Sequence, residues 1–225
     1  TQTVSYSETT PRAILGYQHS DDVLLYGSYS VGYSSGGFNQ DIAMRPYLPE
    51  TSDNLEFGFK STVRDGKVRL NGTFFHNSYE NQQITVGRIV RGQPTADLIN
   101  AQEATLTGLE IEMLAQLSEH WAVTLHYGHL DGEYDESTVE DNIYDPITLV
   151  ESIVTRDLSG TAFGNGGKQD TLDVSFIHTT SLPSGGDLVS VIGVTRKDDQ
   201  WFSLENTPTS FTPGYTLMDG RVTWN

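Results

Sequence analysis

Every second residue from Val23 to Tyr33 is apolar, small or aromatic: Val23, Leu25, Gly27, Tyr29, Val31 and Tyr33. Their neighbours Tyr26, Ser28, Ser30, Gly32 and Ser34 are mostly small and polar. Leu55, Phe57, Phe59 and Val63 repeat the alternation against Asn54, Glu56, Lys60 and Thr62. Leu109, Ile111, Met113 and Ala115 do so against Glu110, Glu112 and Gln116. A period of two places successive side chains on opposite faces of a strand. The pattern predicts nine strands, over 12–19, 23–34, 51–64, 67–86, 101–117, 121–134, 169–182, 188–197 and 214–224. Several are longer than a typical soluble strand, and crossing a bilayer takes about 9–11 residues.

Two kinds of connection alternate. Tight turns are expected at 20–22, 64–67, 118–120 and 183–187, with Asp65-Gly66 the strongest hairpin signal. Long polar excursions are expected at 35–49, 88–100, 131–169 and 198–213. In an up-and-down sheet every second connection lies at the same end, so one rim carries turns and the other loops. A soluble sandwich buries its apolar face in a second sheet and has no reason to segregate loops. An outer-membrane barrel turns the apolar face to lipid, keeps the polar face around a wet lumen, and has short turns at one rim. The expected fold class is therefore all-β, an antiparallel up-and-down transmembrane β-barrel. Single-chain bacterial barrels have even strand counts, and an open edge cannot sit in lipid with its N–H and C=O groups unpaired. The barrel is expected to be partial, and the chain a segment of a longer polypeptide.

Composition narrows the partners. Thirteen basic against thirty acidic residues give a formal charge of −17 in 225 residues, which argues against nucleic acid. The absence of cysteine removes disulfides, thiolate metal sites and cysteine nucleophiles. No run approaches eighteen apolar residues, so no transmembrane helix is expected. Residues 1–10 are polar and lack a signal-peptide pattern, as a mature or truncated chain would. Eleven tyrosines, nine phenylalanines and three tryptophans suit aromatic girdles at two membrane interfaces.

Several motifs, in order, carry a resemblance. Leu25-Tyr26-Gly27-Ser28-Tyr29-Ser30-Val31-Gly32-Tyr33-Ser34-Ser35-Gly36-Gly37-Phe38-Asn39 is followed by Pro49-Glu50-Thr51 and Asn54-Leu55-Glu56-Phe57-Gly58-Phe59-Lys60. Asp65-Gly66-Lys67, Phe74-Phe75 and Asn81-Gln82-Gln83 come next. Asn100-Ala101, Thr107-Gly108-Leu109-Glu110-Ile111-Glu112 and Gly214-Tyr215-Thr216-Leu217-Met218-Asp219-Gly220-Arg221-Val222 complete the set. Together they resemble TonB-dependent outer-membrane receptors over most of 11–225. The resemblance implies about nine strands of a 22-stranded barrel, with residues 1–225 forming one partial barrel domain without its plug. It also implies active transport of a scarce ligand across the Gram-negative outer membrane. A ferric siderophore is the first candidate ligand, with cobalamin or an oligosaccharide as rivals. TonB would be engaged through the missing N-terminal plug region, outer-membrane lipid would surround the wall, and no cofactor or catalysis is needed. A passive porin-like channel, distinguished by an inward-folded loop and no need of a plug, is the runner-up. A soluble β-rich carbohydrate-binding module comes third.

Candidate residues follow from phase and loop position. Glu56, Lys60, Arg69, Glu110, Glu112, Asp173, Asp219 and Arg221 fall on the polar phase. They could line a polar route against the plug, but a lumen-wall network of mutually satisfying charges is the plainer reading. Glu110 and Glu112 are a carboxylate pair at strand spacing with no acid-raising pocket in view, so glycosidase chemistry is not expected. Arg45, Tyr47, Arg88 and Arg91 put guanidinium and aromatic groups near the external mouth, suited to flat anionic chelates. Surface charge and loop anchoring are the plainer reading of those four. The Ser35–Asn39 run is read first as a glycine bend with Phe38 as anchor. Asp131, Glu133, Asp135, Glu136, Glu140, Asp141 and Asp145 lack calcium-loop spacing and are expected to form a solvated acidic loop. His126 and His129, three apart, point to opposite strand faces, and no metal spacing appears among the histidines.

Overall fold

The computed structural model describes residues 3–39, 45–90, 93–144, 147, 151–163, 167–204 and 206–225. Its strands are β1 (Arg12–Ser20), β2 (Val23–Ser34), β3 (Gly37–Phe38), β4 (Pro46–Tyr47), β5 (Glu50–Val63), β6 (Val68–Val90), β7 (Gln93–Gln116), β8 (Trp121–Glu136), β9 (Thr138–Tyr144), β10 (Glu151–Asp157), β11 (Lys168–Ser181), β12 (Asp187–Lys197), β13 (Gln200–Trp201), β14 (Phe211–Thr212) and β15 (Tyr215–Trp224). Nine of them make one sheet in the order β1-β2-β5-β6-β7-β8-β11-β12-β15. Every neighbouring pair in it is antiparallel and consecutive apart from short loop hairpins, so this is the expected up-and-down wall. Three two-stranded hairpins, β3–β4, β9–β10 and β13–β14, stand on the loops.

The turn between β5 and β6 shows why its sequence works. Asp65 and Gly66 have φ of 55° and 83°, and Lys67 N–H donates to the Arg64 carbonyl at 3.1 Å. Positive φ at both central residues matches the twist of the flanking strands.

Register decides which side chains share a face. Leu25 pairs with Tyr17 and Phe59, Phe59 with Gly72, Gly72 with Ile111, Ile111 with Tyr127, and Tyr127 with Leu172. The whole apolar phase is thus on one face, where Leu25, Phe57, Phe74, Phe176, Ile192 and Met218 are exposed. Trp121 and Trp224 lie on this face at the turn rim, and Tyr29, Tyr33 and Tyr127 toward the loop rim. On β5 the apolar run from Leu55 to Val63 covers nine residues. That is the length a tilted strand needs to cross hydrocarbon.

Glycine and aromatic side chains pair across the wall. Tyr26 stands opposite Gly58, Phe59 opposite Gly72, and Phe75 opposite Gly108. A Cβ added at Gly108 would come within 2.2 Å of the Phe75 ring. Gly108→Val is expected to cost about 1–3 kcal/mol by overpacking. The check is the folded fraction on a semi-native gel, where unheated barrel migrates faster; Gly108→Val with Phe75→Ala should recover part of the loss.

Two expected loops differ. Segment 88–100 continues the β6–β7 hairpin, with Arg88 opposite Thr95 and Val90 opposite Gln93. Past Glu80 and Glu103 the ladders to β5 and β8 have ended, so no wall position sets the phase of this hairpin and its alternation fades. Segment 131–169 likewise contains the top of β8 and the β9–β10 hairpin, in which Val154 pairs with Asp141.

Candidate functional site

The loop rim holds the structure's main buried cluster: Ile84, Ala101, Ala104, Tyr134, Val139 and Leu158, with Tyr79, Ile99, Phe163 and Leu204 packed around it. Ala101 and Ala104, three apart, would face opposite ways on a regular strand, yet both are fully buried here. Asn81, with φ of 53°, sits across from that stretch and interrupts the pairing between Glu80 and Gln82. Asparagine tolerates the left-handed region, and the re-aimed hairpin can then present both alanines to the cluster. β9 packs against β6 and β7, on the side that carries Tyr79, Ala104 and Tyr134. That is the polar face of the wall.

Residues 158–163 and Gly167 are tied to the top of β8. Tyr134 N–H donates to the Thr161 carbonyl at 3.0 Å, Gly160 N–H to Tyr134 O at 2.7 Å, and Gly132 N–H to Gly167 O at 2.6 Å. Ser159, through its hydroxyl and then its backbone N–H, holds the Asp157 carboxyl below its ordinary range.

All eight polar-phase candidates share one face. Glu56 pairs with Phe75, Lys60 with Asn71, Arg69 with Thr62, Glu110 with Thr73, Glu112 with His126, and Asp173 with Thr195. Asp219 is opposite Gly193 and Arg221 opposite Val191. Several contacts on this face are cross-strand and polar. Tyr26 Oη is 2.9 Å from Thr73 Oγ1, with Lys60 Nζ 6.0 Å from the Tyr26 ring centre. Thr195 donates to Asp173 at 2.6 Å, and Asn71 to Glu112 at 3.4 Å. A hollow of about 320 Å³ opens between Glu110, Glu112, His126, Asp173, Thr195 and Lys197.

The four mouth candidates fare differently. Arg45 Nη2 donates to Asp97 Oδ2 at 2.9 Å, and Asp97 is buried. Arg45 is therefore an ion-pair partner, because β7 reaches the loop rim as a projecting strand. Tyr47, half-buried on β4, pairs with Gly37. Arg88 lies on β6 rather than in a loop, and Arg91 falls outside the described residues. Asp131, Glu133, Asp135 and Glu136 belong to β8, and Glu140 and Asp141 to β9; Asp145 lies outside the described residues. Lys168 Nζ reaches Asp131 at 3.1 Å and Glu133 at 2.8 Å, which replaces the expected freely solvated acidic loop at those two positions. Among the described residues no cluster of three or more metal-ligating side chains occurs.

Sequence reasoning missed the residues that tie the 35–49 loop down. Asn39 N–H donates to the Arg45 carbonyl at 2.9 Å. The Asn39 amide donates to the Leu98 carbonyl at 2.8 Å and accepts from Leu98 N–H at 2.7 Å. Asn100 accepts from Leu48 N–H at 2.7 Å and donates to the Leu48 and Asn81 carbonyls at 3.0 and 2.8 Å. Gln83 donates to the Ser35 and Leu48 carbonyls, each at 3.0 Å. Asn39 is thus an anchor of the Ser35–Asn39 run. Gly36 is needed for close approach, since a Cβ there would stand 2.5 Å from the Tyr47 carbonyl.

Residues 1–225 match the family described as "TonB dependent receptor-like, beta-barrel". The chain belongs to the TonB-dependent receptors. It is 25% identical over 135 residues to the ferric-pyoverdine BN7/BN8 receptor of Pseudomonas putida, which covers 59% of this chain and 16% of that receptor. Its fold superposes on the ferric yersiniabactin uptake receptor FyuA of Yersinia pestis with a TM-score of 0.71 at 19% identity, over 95% of this chain and 29% of FyuA. The siderophore receptor PiuA of Acinetobacter baumannii gives 0.70 at 19% identity, with 95% and 29% covered. The chain therefore spans under a third of the length of these relatives. TonB-dependent receptors are outer-membrane transport barrels, and this chain forms part of such a barrel wall.

Proposed function

We propose that the chain supplies wall, external loops and lipid-facing surface to an outer-membrane receptor that imports a ferric siderophore with energy relayed by TonB. The observation that carries this reading is the two-faced wall with loops segregated to one rim, in a chain matched along its whole length to the TonB-dependent receptor barrel. The ferric-pyoverdine relative supports iron chelates ahead of cobalamin or an oligosaccharide. External loops capture the ligand, with Arg45 and Tyr47 offering guanidinium and aromatic contacts, and Arg88 and Arg91 as further candidates. Glu56, Lys60, Arg69, Glu110, Glu112, Asp173, Asp219 and Arg221 line the lumen against the plug. Transfer is non-covalent throughout. The apolar face, bounded by aromatic residues at both rims, meets lipid, because exposed Leu and Phe in a band this wide need an apolar solvent.

Strand β9 lies on the polar face, as an inward loop of a passive channel would. It sits beside Tyr134 and Ala104, however, at the projecting rim beyond the outward apolar run that ends at Tyr127. The test is uptake of iron-55 chelates by iron-starved cells that lack other receptors and carry the full-length gene. TonB-dependent accumulation of at least one ferric siderophore is expected. Uptake that persists without TonB would support the passive channel, and no iron uptake with TonB-dependent cobalamin uptake would replace the ligand.

A further inference from the structure

Four side chains hold residues 35–39 and 45–49 to the β6–β7 projection, and three of them lie in motifs with no evident role in the alternation: Asn39, Gln83 and Asn100. Each uses a side-chain amide against backbone of the loop or of β6–β7, much as a strand partner would. Asp97 adds a charged contact to Arg45. Between loop, projection and β9 lies a pocket of about 190 Å³, lined by Asn39, Arg45, Pro46, Asn100, Thr138 and Val139. Drug-sized ligands occupy about 300–1,000 Å³, so this space suits one arm of a chelate rather than the whole of it.

We propose that Asn39, Gln83, Asn100 and Asp97 are positioning residues of the capture surface, assembling this pocket around the Arg45 guanidinium before ligand arrives. The proposal rests on the reading of the chain as part of a ferric-siderophore receptor. The group the pocket takes is an oxygen-bearing, preferably anionic arm of the ligand, such as a carboxylate or hydroxamate. Arginine presents planar donors to such groups, and Arg45 remains partly exposed. Pre-assembly matters because a loop that must order on binding gives up affinity.

The full-length receptor in outer-membrane vesicles provides the test. Leu48 is exposed, its N–H is held by Asn100, and this segment has no native cysteine, so Leu48→Cys carries a nitroxide. Asn39→Leu and Asn100→Leu keep side-chain bulk but remove the amide. Each of the two leucine variants is expected to raise label mobility while leaving the folded barrel on a semi-native gel. Without the label, each of the two leucine variants is expected to weaken binding of iron-55 hydroxamate or carboxylate chelates about tenfold, while maximal uptake at saturation holds. Gln83→Leu serves if either asparagine variant fails to assemble. An immobile label in the leucine variants, or a mobile label with unchanged affinity, overturns the proposal. If the unsubstituted receptor binds none of the chelates while the label responds, the siderophore reading has failed and the positioning role falls with it.

Discussion

Leu25→Arg or Phe57→Arg, made in the full-length receptor, is expected to cut the folded barrel recovered from the outer membrane by at least tenfold, while Ser28→Arg is tolerated. The three positions are neighbours. Ser28 pairs with Glu56 on the polar face, and Phe57 pairs with Gly27 on the apolar face. Leu25 and Phe57 are each about half exposed, so neither substitution opens a packed core. What changes is the solvent. A guanidinium facing lipid near the midplane costs about 2–4 kcal/mol, whereas a lumen-facing one stays wet and here has Glu56 across the strand pair. Each 1.4 kcal/mol is a factor of ten in a folding equilibrium, so the lower bound already exceeds that factor. Semi-native electrophoresis of outer-membrane fractions reads the result, and equal recovery of all three variants would refute the face assignment.

Ala104→Asp should do comparable damage at the other end of the molecule, and of a different kind. Ala104 is fully buried between the β6–β7 projection and Tyr134. A carboxylate there would have no partner among the apolar side chains around it. An uncompensated buried charge costs about 3–5 kcal/mol, enough to break a small cluster. The wall below pairs through separate ladders, so the expected outcome is a folded barrel whose rim has come apart. Limited proteolysis on intact cells should cut within 138–157 in Ala104→Asp and leave the parent chain intact there. Loss of the whole barrel would mean that the rim cluster is needed for assembly.

The nine wall strands could be read from alternation, because one face of each must be apolar whatever its neighbours do. Leu25, Phe59 and Ile111 lie where their phase placed them, and the Asp65-Gly66 turn took the positive φ its residues favour. The rim was harder to read. Arg88 continues β6 because backbone pairing with β7 persists beyond the span where lipid imposes an apolar face. β9 and β10 pair with each other, and nothing in the polar 138–157 run marks that partner over solvent. Among site residues, the polar phase was legible strand by strand. The Arg45–Asp97 pair joins residues 52 apart through a hairpin whose length was itself misjudged. Asn39, Gln83 and Asn100 were visible as motif residues, but an amide that pairs with a distant backbone looks, in sequence, like any loop asparagine or glutamine.

The central claim is that one face of this wall meets lipid and the other does not. A single-cysteine nitroxide scan along β5 of the full-length receptor in outer-membrane vesicles tests it most directly, reading collision with oxygen, which concentrates in hydrocarbon. High oxygen accessibility at Leu55, Phe57 and Phe59 and low accessibility at Asn54, Glu56 and Lys60 is the predicted result. A scan without that period of two, or one with the phases exchanged, would contradict it.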